Sequence, residues 1–101
     1  MSGYHNDSTK RLFNIIAEID SAEECCAFFE DLCTIKEIQD MAQRLDTAIL
    51  LNRGFSYQKI SEKVGVSTAT ISRVNRALTY GSGGYKAAME KIGETEINDD
   101  N

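Results

Sequence analysis

One short stretch carries side chains whose types and spacing suit contact with DNA. Thr68, Ala69, Ser72 and Arg76 recur at the spacing of one helical face, and all but the arginine are short. Such a face lets a helix come close to a groove, where hydroxyl groups bond base edges or phosphates and an arginine bonds a phosphate or a guanine. We therefore expect this face to bind double-stranded DNA.

Residues 56–79 predict two short helices joined by a tight turn, a helix-turn-helix. Ser56 and Ser67 each precede a helical pattern, and a serine there accepts a hydrogen bond from the free N–H groups of the helix start. Gly65 lies where the first helix must end, because glycine adopts the positive φ of such an end at little cost. The buried stripe of the second helix would be formed by Ile71, Val74 and Leu78.

In this interpretation the second helix, residues 67–79, lies in the groove while the first helix holds the DNA backbone. Side chains on both helices would take part. The predicted DNA-binding residues are Gln58, Lys59, Lys63, Thr68, Ala69, Ser72, Arg73 and Arg76.

The charge of the chain is unevenly distributed along the sequence. The net charge is −5, which by itself disfavours a DNA partner. Residues 36–80, however, hold seven Lys or Arg against four Asp or Glu, while the segments on either side are acidic. The positive charge is therefore concentrated where phosphates would be neutralised.

Length and composition favour one all-helical domain. The chain has 101 residues, no proline and periodic segments rich in Ile, Leu, Ala, Glu, Lys and Gln. We expect disorder over 1–7, a single helical domain over 8–93 and a disordered acidic tail over 94–101. No apolar run has the length of a membrane span and no signal-peptide core is found, so we expect a cytoplasmic protein without a membrane partner.

The first predicted helix runs from Ser8 or Thr9 to about Asp20. Its broad apolar surface is made of Leu12, Phe13, Ile15, Ile16 and Ile19. So many large apolar side chains on a short helix exceed what one small domain can bury. The pattern therefore predicts a partner chain.

A second helix is predicted over 22–33. Ser21 and Glu24 have the spacing of a capping box, in which each side chain bonds the other residue's backbone N–H. The side chains expected to face the core are Cys25, Phe28, Phe29 and Leu32.

Thr34 and Glu37 form a second such pair and predict the longest helix, over 35–52, which Gly54 ends. Residues 79–84 are rich in glycine and predict a flexible joint before a last short helix. The apolar stripe of that helix would be Tyr85, Ala88, Met89 and Ile92.

Neither a metal site nor a catalytic site is predicted. Cys25, Cys26 and Cys33 are three cysteines, two of them adjacent, and the single histidine, His5, lies near the chain end. An odd count without a secretory signal gives no disulfide framework, and a fourth zinc ligand at suitable spacing is missing. We expect buried thiols, no cofactor and no enzymatic activity.

The segment Gly65-Val-Ser-Thr-Ala-Thr-Ile-Ser-Arg-Val-Asn-Arg-Ala-Leu78, together with the long helix before it, resembles the Trp repressor superfamily. Within it the chain is most similar to the YerC/YecD-type homologues, over about residues 10–92. The resemblance implies an all-helical homodimer with interleaved N-terminal helices and two DNA-reading heads. It also implies a sequence-specific transcriptional regulator, acting as a repressor.

The resemblance further implies an effector site between the longest helix and the reading helix. The matching residues are Thr34, Arg44, Thr70 and Arg73. Val74 and Ala77 stand where the tryptophan-binding member has a glycine and a serine, so the indole ring would lose its space and the ligand a hydroxyl partner. We therefore do not expect L-tryptophan to be the effector.

Two alternatives remain open at this stage. Arg44 and Arg73 can serve phosphate contact or a surface ion pair with Asp40 or Glu37 instead of an effector. The whole chain can also be a helical protein-interaction module that keeps the helix-turn-helix shape without binding DNA.

Overall fold

The computed structural model describes residues 5–91 and 93. Within those residues the chain forms six α-helices and no strand, which confirms the all-helical fold class. The helices are α1 Asp7–Glu18, α2 Ala22–Leu32, α3 Ile35–Asn52, α4 Tyr57–Val64, α5 Thr68–Tyr80 and α6 Gly84–Lys91. The expected tail over 94–101 lies outside the described residues, as do the first four of 1–7.

The chain divides between Ile38 and Gln39 into two compact units. The single domain expected over 8–93 stays a prediction. The first unit holds α1 and α2, and the second holds α4, α5 and α6.

In the first unit, α1 begins earlier than expected because Asn6 is its N-cap. The Asn6 side chain accepts a hydrogen bond from the Thr9 N–H at 2.9 Å, and the Thr9 hydroxyl accepts one from the Asn6 N–H at 3.0 Å. This reciprocal pair starts the helix at Asp7 rather than at Ser8 or Thr9.

No side chain on α1 or α2 is fully buried. Phe13 on α1 is 51% exposed, and Phe28 and Phe29 on α2 pack edge to face with ring centres 5.7 Å apart. The expectation that Leu32 faces a core is wrong, since this side chain is also 51% exposed. Helical periodicity identified the apolar side of α2, where Phe28 and Phe29 are half-buried, but it did not identify that Leu32 is left exposed.

The start of α3 has the predicted capping box. The Thr34 hydroxyl accepts from the Glu37 N–H at 3.0 Å, and the Glu37 carboxylate accepts from the Thr34 N–H at 2.8 Å. The helix ends at Asn52 as predicted, and Gly54 then takes a φ of 89°.

The second unit has a buried core built around the α4–α5 pair. Leu50, Ile60, Val66 and Ile71 form one apolar cluster, against which Leu51, Phe55 and Val64 pack. α5 contacts both α4 and α6, and Met89 on α6 is buried. The predicted α6 stripe holds only in part, because Ala88 is exposed and Ile92 is outside the described residues. No described helix is long and apolar enough to span a bilayer.

Candidate nucleic-acid interface

α4 is a short helix fixed at both ends by the residues that the sequence indicated. The Ser56 hydroxyl accepts a hydrogen bond from the Lys59 N–H at 3.2 Å. Gly65 ends the helix with a φ of 84° and donates its N–H to the Ser61 carbonyl at 2.9 Å. A side chain at that φ would be strained, so glycine favours the sharp turn.

Three residues separate α4 from α5, and the turn they form is anchored in the core. Val66 is only 9% exposed and belongs to the buried cluster with Ile60 and Ile71. Its carbonyl accepts a hydrogen bond from the Ser61 hydroxyl at 2.8 Å. The turn is therefore held by one apolar side chain and by a hydrogen bond back to α4.

α5 starts at the predicted N-cap. The Ser67 hydroxyl accepts a hydrogen bond from the Thr70 N–H at 3.2 Å. The helix runs one residue further than expected, from Thr68 to Tyr80, and the Gly81 N–H bonds the Ala77 carbonyl at 2.9 Å.

The two sides of α5 differ sharply in exposure. Ile71 is fully buried, Val74 is 2% exposed and Leu78 is partly buried. At about 100° per residue, these three positions lie on one side of the helix. Positions 69, 72, 73 and 76 lie on the opposite side, and 68 lies at its edge. Packing of the first side against the core therefore leaves the second side facing solvent.

All eight residues predicted to bind DNA are exposed and lie on the α4–α5 pair. Three are on α4: Gln58, Lys59 and Lys63. Five are on α5: Thr68, Ala69, Ser72, Arg73 and Arg76. We call these five residues the α5 outer face. Lys63 has a further contact, because its ammonium lies 6.0 Å from the centre of the Phe55 ring.

The residues matched to an effector site are divided between the two units. Arg44, Thr70 and Arg73 belong to the second unit; the first two are partly buried and Arg73 is exposed. The Thr70 hydroxyl lies 3.3 Å from the Ser67 hydroxyl. Thr34 belongs to the first unit, where its hydroxyl caps α3. Their role in binding an effector stays a prediction.

Two titratable groups are perturbed, one in each unit. Burial raises the pKa of Asp46 on α3. The hydrogen bond from the Cys26 thiol to Glu30, at 3.4 Å, and the charge of that carboxylate raise the pKa of Cys26. A thiol held in its neutral form is a poor nucleophile and metal ligand. The expectation of buried thiols is wrong for Cys26, which is exposed, while Cys25 and Cys33 are half-buried. Among the described residues no group of His, Cys, Asp or Glu side chains could hold a metal ion.

Ser61 is the residue that sequence reasoning missed in this region. It lies inside α4, four residues before Gly65, and the sequence pattern assigned it no role. The carbonyl that it bonds is that of Val66 in the turn, outside α4, so the helical pattern of α4 does not identify the contact.

Comparison with known proteins places the chain in one family. Residues 7–93 match the family described as Trp repressor protein. The "uncharacterized protein YerC" of Bacillus subtilis (strain 168) is 52% identical over 86 residues, which are 85% of this chain and 83% of that protein.

Two solved structures have the same fold. A TrpR-like protein from Eubacterium eligens ATCC 27750 is 43% identical with a TM-score of 0.86, over 91% of this chain and 95% of that one. A structure from Staphylococcus aureus is 38% identical with a TM-score of 0.86, over 92% of this chain and 93% of that one. The resemblance drawn from residues 65–78 is thereby confirmed, and this chain belongs to the Trp repressor family, a family of transcriptional regulators.

Proposed function

We propose that the protein is a sequence-specific, double-stranded DNA-binding transcriptional regulator, that it acts as a repressor in the cytoplasm, and that it is not an enzyme. The observation that carries the proposal is the two-sided α5. One side is fixed in the core through Ile71 and Val74, and the other presents the α5 outer face to solvent.

The chemistry of the α5 outer face supports a groove as its partner. Thr68 and Ala69 carry methyl groups, which fit the C5-methyl of thymine, and Thr68 and Ser72 carry hydroxyls that can donate to or accept from base edges. Arg73 and Arg76 lie on the same exposed side, where each can neutralise a phosphate or bond a guanine. α4 would contact the backbone through Gln58, Lys59 and Lys63.

A homodimer is the proposed working form. α1 and α2 border an open groove of about 910 Å³, whose apolar lining includes Ile15, Ile19 and Phe28. With no fully buried side chain on either helix, burial of this apolar surface against a second copy would supply the stabilisation that the helices lack. Two copies would also carry two reading helices, as an operator with two half-sites requires.

DNA binding is proposed to need no L-tryptophan. Val74 is nearly fully buried on the inner side of α5, where the tryptophan-binding member has a glycine. A branched side chain in that space leaves less room for a flat ring beside α5.

A selection experiment tests the proposed function. Tagged protein would be incubated at low salt with a pool of duplexes of random sequence, and the bound duplexes would be recovered and sequenced over several rounds. We expect one sequence motif to be enriched, and we expect its affinity to fall steeply as salt is added.

Ser72→Glu would serve as the negative control, since it places a carboxylate on the α5 outer face without entering the core. Recovery of no motif and no retention of any duplex at low salt would refute the function. That result would favour the protein-interaction module, the alternative that the fold also permits.

A further inference from the structure

We infer that Ser61 is a positioning residue that sets the direction of α5, so that the protein's DNA selectivity depends on a hydroxyl that does not touch DNA. This inference rests on the proposed function. The Ser61 hydroxyl donates to the Val66 carbonyl at 2.8 Å in a partly buried setting. Val66 immediately precedes the N-cap of α5, so the bond joins α4 to the start of α5.

Two atoms of Ser61, its side-chain oxygen and its backbone carbonyl oxygen, form hydrogen bonds with the turn. Its side-chain oxygen bonds Val66, and its backbone carbonyl accepts the Gly65 N–H at 2.9 Å. Ser67, the residue after Val66, caps α5 by accepting a hydrogen bond from the Thr70 N–H. Hydrogen bonds therefore join α4 to the turn, and the end of the turn to the first turn of α5.

The side chain of Val66 alone does not fix this direction. It is buried in the core, but an apolar contact is not directional and tolerates rotation of the peptide plane. A hydrogen bond restricts that rotation, because it weakens steeply away from a straight geometry. Without the hydroxyl, the Val66 carbonyl is left to find another donor, and turning the peptide toward water is the direct way to do so.

A small change of direction at the turn becomes a large displacement along α5. A 13-residue helix is roughly 20 Å long, so a tilt of roughly 10° about its start moves the backbone at Ser72 by about 1 Å, at Arg76 by about 2 Å and at the far end by about 3 Å. Hydrogen bonds weaken steeply with such changes of distance and angle, so base contacts from Ser72 and Arg76 would be weakened. Contacts from long lysine side chains to phosphates tolerate the shift far better, because their charge acts over a longer range than a hydrogen bond, and nonspecific binding should survive.

The test compares Ser61→Ala with a matched control, Thr47→Val. The Thr47 hydroxyl is buried and also donates to a main-chain carbonyl, that of Gln43, at 2.8 Å, but it lies within α3 rather than at the turn. Each variant would be tested, at a temperature where urea titration shows it fully folded, against the selected duplex and an unrelated duplex. A third variant, Ser61→Thr, keeps the hydroxyl.

We expect Ser61→Ala to lose about fivefold in affinity for the selected duplex and less than about twofold for the unrelated one, with an unchanged salt slope. Thr47→Val should keep both affinities even where its stability falls, and Ser61→Thr should keep the selectivity of the natural protein. Equal selectivity in Ser61→Ala and the natural protein would overturn the inference.

Two other results would also overturn it. A salt slope reduced by about one in Ser61→Ala would mean that a Lys or Arg contact to phosphate is lost, so that the effect is not confined to base contacts. An equal loss of selectivity in Thr47→Val would mean that general stability is the cause. All these results leave the proposed function intact, whereas absence of duplex binding by the natural protein would refute the function itself.

Discussion

α1 and α5 have nearly the same length, 12 and 13 residues, and each begins at a short polar N-cap. They differ in what covers them. α5 buries Ile71 and Val74 against α4 and its neighbours, whereas α1 has no fully buried side chain. Capping and periodicity are therefore enough to define a helix, but they do not supply the surface on which it packs.

The difference has an energetic consequence. An isolated helix of about 12 residues is marginal in water, and most helical stability in proteins comes from packing of an apolar face. α5 obtains that stabilisation inside its own unit. α1 must obtain it by burying its exposed apolar side chains against another surface. We propose that a second copy of the chain supplies that surface. Four predictions test this contrast.

The largest effect is expected from a charge placed on the inner side of α5. Ile71→Asp introduces an unpaired carboxylate at a fully buried position, so the second unit should lose more than about 4 kcal/mol and unfold. Ser72→Asp, one residue later and exposed, should change the free energy of unfolding by less than about 0.5 kcal/mol but abolish DNA binding. Urea titration followed by circular dichroism measures both; equal stability of the two variants would contradict the contrast.

The second prediction concerns the uncovered surface of α1. If two chains fold together, hundredfold dilution should lower the apparent free energy of unfolding by about 2.7 kcal/mol and lower the melting temperature. Melting curves at about 1 and 100 μM, with sedimentation at the same concentrations, make the measurement. Deleting residues 1–20 should remove dimer and fold together. A natural protein that is a folded monomer at micromolar concentration would disprove the proposed assembly.

The third prediction concerns the cation at the far end of the α5 outer face. Arg76→Ala should weaken duplex binding and reduce the slope of log affinity against log salt by about one, if the guanidinium contacts a phosphate. Lys86→Ala removes an exposed charge from α6 instead, and it should leave the slope unchanged. Fluorescence anisotropy at several salt concentrations compares the two; an equal slope in Arg76→Ala and the natural protein would exclude the phosphate contact.

The smallest response is expected from tryptophan. Millimolar L-tryptophan should change the duplex affinity of refolded, ligand-free protein by less than about twofold, because Val74 fills the inner side of α5. Val74→Gly opens that space, and any response should appear in this variant at a lower tryptophan concentration than in Val74→Ala. A tenfold gain in the natural chain, about 1.4 kcal/mol of coupling, would show that the effector site is functional.

Most helix boundaries could be predicted from sequence because their signals are local. Ser56, Gly65 and Ser67 act on backbone groups within four residues of themselves, and all three work as predicted. The start of α1 was harder, since Asn6, Ser8 and Thr9 are all acceptable caps. Asn6 is the cap because its reciprocal pair with Thr9 satisfies two backbone groups at once.

Burial was predicted well only where the partner surface lies within the same unit. The inward side of α5 followed from its period, and Ile71 and Val74 are buried as expected. Leu32 has an equally suitable position on α2 but remains exposed. A period identifies which side of a helix is apolar, and it carries no information on whether a neighbour reaches that side.

The sequence by itself determined the six helices, the turn at Gly65 and the chemical character of the α5 outer face, because capping, backbone preference and period act over a few residues. Only the tertiary structure decided that the Ser61 hydroxyl meets the Val66 carbonyl and that Leu50, Ile60, Val66 and Ile71 close one core. Those contacts join groups on different helices or across the turn. Their formation depends on how the helices pack, which no single segment of the chain specifies.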